Sequence, residues 1–176
     1  VHGIPGERVL ADGDLVSIDC GAIVDGWHGD AAVSVPVGEV TAAVLALSVA
    51  TEAAMWAGLE QVRAGNRLSD IGNAVEIAIN AAGDYGVVED YTGHGIGTSM
   101  HMHPPIPNHG KPGKGPLLKV GMAFAIEPMA TSGSPVVGVL ADGWTVVALD
   151  GGPAAHWEHT VAITQAGPWV LTALDE

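Results

Sequence analysis

Residues 15–38, LVSIDCGAIVDGWHGDAAVSVPVG, carry two β-rich runs on either side of the pair Asp25-Gly26. An Asp-Gly pair suits a type I′ turn, whose two central residues both need positive φ. The stretch therefore predicts a hairpin. With Asp25 and Gly26 as the turn, residues whose numbers sum to 51 stand opposite one another, so Asp19 faces Ala32 and Gly21 faces Asp30. Side chains alternate faces with a period of two, which puts Asp19 and Asp30 on one face as diagonal neighbours. Two carboxylates come within chelating reach.

Three later segments carry the same kind of side chain: TGHGIGTSMH at 92–101, FAIEPM at 124–129 and HWEHT at 156–160. His94 stands among Gly93, Gly95 and Gly97, a spacing that suggests backbone packed tightly around a site. Glu127 lies between Ile126 and Pro128 in an apolar run, where an unpaired carboxylate would cost several kcal/mol, and a cation is its simplest partner. With Asp19, Asp30 and Glu158 these make four carboxylates and one imidazole. Such an oxygen-rich set suits a pair of divalent cations better than the thiolate shell of a structural zinc site. Four negative ligands also balance two dications, which lowers the cost of burying the site.

Composition narrows the alternatives. A chain of 176 residues fits one domain with a buried core. Lys and Arg number 6 against 20 Asp and Glu, for a net charge of −14, and no basic stripe offsets repulsion from a phosphate backbone. Direct binding of nucleic acid is excluded on that ground. The lone Cys20 rules out an intrachain disulfide and points to a reducing compartment, the cytoplasm, and its place beside Asp19 but on the other strand face suggests a small core residue. Residues 1–16, VHGIPGERVLADGDLV, have no secretory pattern. The mean hydropathy is +0.32, yet the most apolar stretch, 40–59, is rich in Ala and broken by Ser48, Thr51 and Glu52, which reads as a core helix and not a membrane span.

Two helices follow the hairpin: 40–64, stopping at Gly65, and 70–82, with Ser69 as N-cap and Gly83 as stop. Ile71, Val75, Ile79 and Ala82 form the packing stripe of the second. The Pro- and Gly-rich run 104–116, PPIPNHGKPGKGP, reads as a surface loop near the site. MAFAIEPM, GWTVVAL and WEHTVAIT read as strands, and in the last of these His156, Glu158 and Thr160 share a face. His28, His103, His109 and His159 read as turn, loop or back-face residues.

These segments resemble the type I methionine aminopeptidases, metal-dependent hydrolases of the pita-bread fold. The likeness runs through VHGIP (1–5), DGDLVSIDCGAIVDGWHGDAA (12–32), GHGIGTSMH (93–101), FAIEPM (124–129), DGWTV (142–146) and WEHTVAIT (157–164). The short sequence between GHGIG and IEPM leaves no room for the insertion of type II enzymes. The resemblance implies an α+β fold with a curved, mostly antiparallel sheet, helices on its outer face and a dinuclear metal site on its inner face. It implies Asp19 as terminal chelator of one metal, Asp30 and Glu158 as bridges, and His94 and Glu127 completing the other metal. His2 would contact the substrate backbone, His101 the scissile carbonyl, and Glu127 would relay a proton. Met100 and Trp144 would line the methionine pocket. The implied reaction is removal of initiator Met from nascent proteins by a metal-bridging hydroxide. The implied cofactors are two divalent ions of Co, Mn, Fe or Zn.

The chain departs from the family pattern at Met100, where Phe is usual, and at His156, where Gln is common. His156 shares the face of Glu158 and reads as a donor behind the ligands or as a residue that perturbs such a donor, and not as a ligand itself. The family's N-terminal helices and first strand have no counterpart, so 1–176 reads as a single, N-terminally truncated catalytic domain. Expected partners are peptides and nascent chains with N-terminal Met and the ribosome, with no membrane and a monomeric state. Two rival readings share the fold: a proline-directed peptidase of the aminopeptidase P or prolidase kind, and a non-catalytic pita-bread binding module. Retention of all five ligands speaks against the module.

Overall fold

The computed structural model describes residues 3–174. Strands β1 (Leu15–Val24) and β2 (Trp27–Pro36) form the expected hairpin, with Asp25 at φ 49° and Gly26 at φ 83° in the turn. Asp19 pairs with Ala32 and Gly21 with Asp30, the register given by the turn arithmetic. Two helices follow, α1 (Ala42–Glu60) and α2 (Leu68–Ala82). The rest of the chain is short strands: β3 (Gly86–Val87), β4 (Gly93–Gly95), β5 (Met102–Ile106), β6 (Ala123–Ile126), β7 (Met129–Thr131), β8 (Val137–Val139), β9 (Val146–Ala148), β10 (Ala154–His156), β11 (Glu158–Thr164) and β12 (Gly167–Val170).

The strands build a curled antiparallel sheet in the order β1-β2-β11-β6-β4-β5, with β12 also on β11. A three-stranded sheet β10-β7-β3 and the hairpin β8-β9 complete the fold. Two expected strands are each split between sheets. MAFAIEPM divides into β6 and β7 at Glu127-Pro128, and β10 passes to β11 between His156 and Glu158. Pro128 has no N–H to continue a ladder, which suits a crossing point.

Both helices pack on one side of the sheets. Phe124, Ile126, Val161 and Ile163 face Met55 and Leu59 of α1 and Leu68 and Ile71 of α2 in one buried cluster. Each such side chain contributes about 1.5–3 kcal/mol through burial. Gly58 permits the close approach of the helices, since a Cβ there would lie 2.7 Å from Val75 Cγ2. α1 spans 19 residues with a mean hydropathy of 1.6, long and apolar enough to cross a membrane by composition, yet Leu47, Thr51, Ala54, Met55 and Leu59 are buried in the core.

Several boundaries differ from expectation. α1 starts at Ala42 and not Val40, because the Thr41 hydroxyl caps it by accepting from Val44 N. It ends at Glu60, and residues 61–64 form a turn in which Arg63 N donates to Gln61 O. Ser69 is not the N-cap of α2. The helix starts at Leu68 after Arg67, whose N–H donates to the Asp70 carboxylate at 2.7 Å, while the Ser69 hydroxyl accepts from Lys114 N. The 104–116 run begins as strand β5, borders the site as expected as far as Asn108, whose side-chain amide donates to Glu127 O at 3.2 Å, and then lies along α2, held by Gly110 N to Glu76 and Gly113 N to Asp70. Cys20 is exposed and not a core residue, because no described element covers that face of β1.

Candidate metal centre

Register alone brings the ligand candidates together. Ala32 pairs with both Asp19 and Glu158, and Ala125 pairs with both Thr160 and His94. Cross-strand partners share a face, as do residues two apart along a strand. Asp19, Asp30, Glu158 and His94 therefore project from the face opposite the helices, and Glu127, two residues beyond Ala125, joins them.

The distances agree. His94 Nε2 lies 3.3 Å from Glu127 Oε1 and 3.9 Å from Asp30 Oδ2. Asp30, His94 and Glu158 each offer one ligand atom, and these lie within 4.8 Å of one another. The backbone around His94 is as tight as its glycines suggest: a Cβ on Gly93 would lie 2.4 Å from Ala125 O, and one on Gly95 2.6 Å from His103 O. Gly97 has ordinary room. A register shift between His94 and Gly95 marks a bulge at this point.

Electrostatics explain why such a cluster calls for cations. Burial, then the charges of Asp19 and Asp30, pushes the Glu127 carboxyl up to about 8. Burial, then Glu127, Asp30 and Asp19, pushes Glu158 up to about 10. Asp30 is raised by burial and by Asp19. Burial pushes the His94 imidazole down, favouring its neutral form. With its Nδ1–H donating to Gly95 O at 3.0 Å, His94 turns the Nε2 lone pair toward the carboxylates. Glu158 is 2% exposed, and its Oε1 has no hydrogen-bond partner among the described residues. A buried carboxylate oxygen without a donor, beside three further carboxyl groups and a neutral imidazole, fits a divalent cation.

A cavity of about 450 Å³ opens beside the cluster, lined by His94, His101, Glu127 and Trp144, with Tyr91 and Val139 among its other walls. The His101 ring packs edge-on against His94 with centroids 4.5 Å apart. Met100 does not line this cavity; its Cε reaches over Gly21, beside Asp30. His2 lies outside the described residues.

Two residues essential to the arrangement carried no signal of their own in the sequence. Thr160 Oγ1 accepts from Asp30 N at 2.9 Å and donates to Asp30 O at 2.8 Å, tying β2 to β11 at the site. Ser34 Oγ donates to His156 O and accepts from His156 N, fixing the strand end before Glu158. Alternation gives the face of Thr160, but only the β2–β11 pairing gives its partner.

Comparison with known proteins agrees with this geometry. The profile of metallopeptidase family M24 matches residues 1–165. Methionine aminopeptidase 1 of Mycobacterium tuberculosis (strain CDC 1551 / Oshkosh) is 54% identical over 98% of this chain and 67% of its own length. The crystal structure of methionine aminopeptidase from Rickettsia prowazekii superposes with a TM-score of 0.94 at 42% identity, covering 97% of this chain and 69% of that one. Prolidase from Pyrococcus furiosus, at 23% identity and a TM-score of 0.75 over 46% of its length, shares the fold alone. By sequence and by structure the chain belongs to the methionine aminopeptidases, within metallopeptidase family M24.

Proposed function

We propose that this chain hydrolyses the first peptide bond of proteins and peptides that begin with methionine, and that Asp19, Asp30, His94, Glu127 and Glu158 hold two divalent ions of Co, Mn, Fe or Zn. The observation that carries this reading is the convergence of five ligand-type side chains from β1, β2, β4, β11 and the end of β6 on one sheet face beside a cavity. When bound, the ions supply an acidified water as nucleophile and Lewis-acid polarisation of the scissile carbonyl.

The protein's own groups do the rest. His101 stands at the cavity wall, where its imidazole can donate to the carbonyl oxygen and hold the charge that develops there. Glu127 also faces the cavity, and burial raises its proton affinity, which suits a group that takes a proton from water and passes it to the leaving amine. Trp144 gives the methionine side chain an apolar wall of the cavity; Met100, which lies over Gly21 and outside that cavity, is assigned to the methionine pocket by the family likeness alone. His2 is assigned to the substrate backbone on the same ground.

Residues 1–176 are read as one catalytic domain, monomeric and working in the cytoplasm on nascent chains at the ribosome; the lone cysteine supports the compartment. Release of Met from Met-Ala-Ser, dependent on added metal and abolished by Glu158→Ala, tests the reaction. Cleavage of an X-Pro peptide in its place would favour the prolidase reading, and cleavage of neither peptide the binding module.

A further inference from the structure

His156 reaches the same cluster from a third direction. It is 2% exposed and closes β10, just before the crossing to β11. Its Nε2 lies 3.8 Å from Glu127 Oε2 and 4.0 Å from Glu158 Oε2. Both separations are too long for hydrogen bonds. They fall in the range of about 3 to 4.2 Å taken by two donor atoms that each sit about 2.1 Å from one ion. His94 approaches the other oxygen of Glu127, Oε1, at 3.3 Å, so the carboxylate stands between two imidazoles. Glu127, His156 and Glu158 present ligand atoms within 4.8 Å of one another, and Glu158 Oε1 is a buried oxygen with no donor among the described residues. The Ser34 hydroxyl, donating to His156 O and accepting from His156 N, holds the His156 backbone in place.

We propose that His156 is a sixth metal-ligating side chain, delivering Nε2 to an ion shared with Glu127 and Glu158. The inference rests on the reading of this cluster as a divalent-metal site. Its chemical consequence is selectivity. Imidazole suits Zn, Fe, Co and Ni, whereas carboxylate and water suit Mn and Mg, so a second imidazole biases the centre toward the first group. His156 and Glu158 do not line the cavity, so this ligand fills coordination space on the closed side and leaves the His101 side to substrate.

The test counts imidazoles. X-ray absorption at the zinc edge of the Zn²⁺-saturated protein should show two imidazole ligands per chain, falling to one in His156→Gln and to one in His94→Ala. Zn²⁺ affinity at one site should fall about tenfold or more in His156→Gln, with a smaller change for Mn²⁺. An imidazole count unchanged by His156→Gln overturns the inference while the metal site stands. Failure of the unsubstituted protein to bind Zn²⁺ or Mn²⁺ overturns the metal reading and this inference together. The Co²⁺-loaded unsubstituted protein answers independently of how the variant folds: two paramagnetically shifted imidazole N–H signals are expected, and one refutes the proposal.

Discussion

Replacing Thr160 with Val tests whether the site is held by the sheet or by the metal. Val matches Thr in shape but removes the hydroxyl that serves both the N–H and the C=O of Asp30. Thr160 is 1% exposed and Asp30 8%, so water cannot readily replace it. Leaving a buried polar group unsatisfied costs about 1–3 kcal/mol, and two groups on one residue give about 2–6 kcal/mol. In a domain of this size, each kcal/mol lowers Tm by about 2–4 °C, so a fall of about 4–24 °C is expected in EDTA. Metal affinity should fall about 10- to 100-fold as well, because the same hydroxyl fixes the strand that carries the Asp30 carboxylate. Thr160→Ser keeps both hydrogen bonds and should retain metal affinity. Thermal melts followed by circular dichroism, with calorimetric Zn²⁺ titration, supply both readouts. A Thr160→Val protein with unchanged Tm and unchanged affinity would refute the reasoning.

Three further outcomes follow from the same geometry. Glu127 and Glu158 bind protons in the metal-free fold well above their unfolded range, so their contribution to metal-free stability is full below about pH 4.5 and is lost as pH rises through about 8, with Glu158 extending the loss toward about 10, whereas His94 and His159, pushed down by burial, add stability only as pH rises through the ordinary histidine range; melts in EDTA that stay flat or climb from pH 7 to 9 would contradict this, and added metal should abolish the decline. Gly93→Ala sets a Cβ 2.4 Å from a backbone oxygen that cannot step aside, and should cost about 1–3 kcal/mol in a urea melt and weaken metal binding through its neighbour His94. Trp144→Ala removes an apolar wall of the cavity and should lower kcat/KM for Met-Ala-Ser about 10- to 100-fold while leaving metal affinity unchanged.

How much was legible in advance follows from which forces are local. The β1–β2 hairpin was legible because one dipeptide sets its register and a period of two sets its faces, so the juxtaposition of Asp19 and Asp30 could be worked out on paper. The crossing points at Glu127-Pro128 and Trp157 were not, because an apolar run gives no sign of changing sheets, and MAFAIEPM reads as one strand. The start of α2 was misjudged because Ser69 has the chemistry of a cap, but its hydroxyl is engaged by Lys114 N, far along the chain. Cys20 was read as core because small apolar-like side chains usually are, and only the assembled sheet shows its face uncovered. Parity already put His156 on the face of Glu158, but its proximity to Glu127 needed the fold, since that carboxylate comes from the end of another strand.

The order of the ligands along the chain has a consequence for how the protein matures. Asp19 and Asp30 are translated well before Glu158, which reaches them only through the pairing of β2 with β11. A ribosome-bound chain that has exposed β1 and β2 but not β11 holds these two acidic residues on a hairpin without Glu158 to help cage an ion. Capture of metal at the proposed site is thus postponed until β11 has been made, and contacts so distant in sequence form slowly. An ion held there would join β1 and β2 to β11 as a late-fitted clasp, so ample metal during synthesis is expected to raise the share of chain that folds.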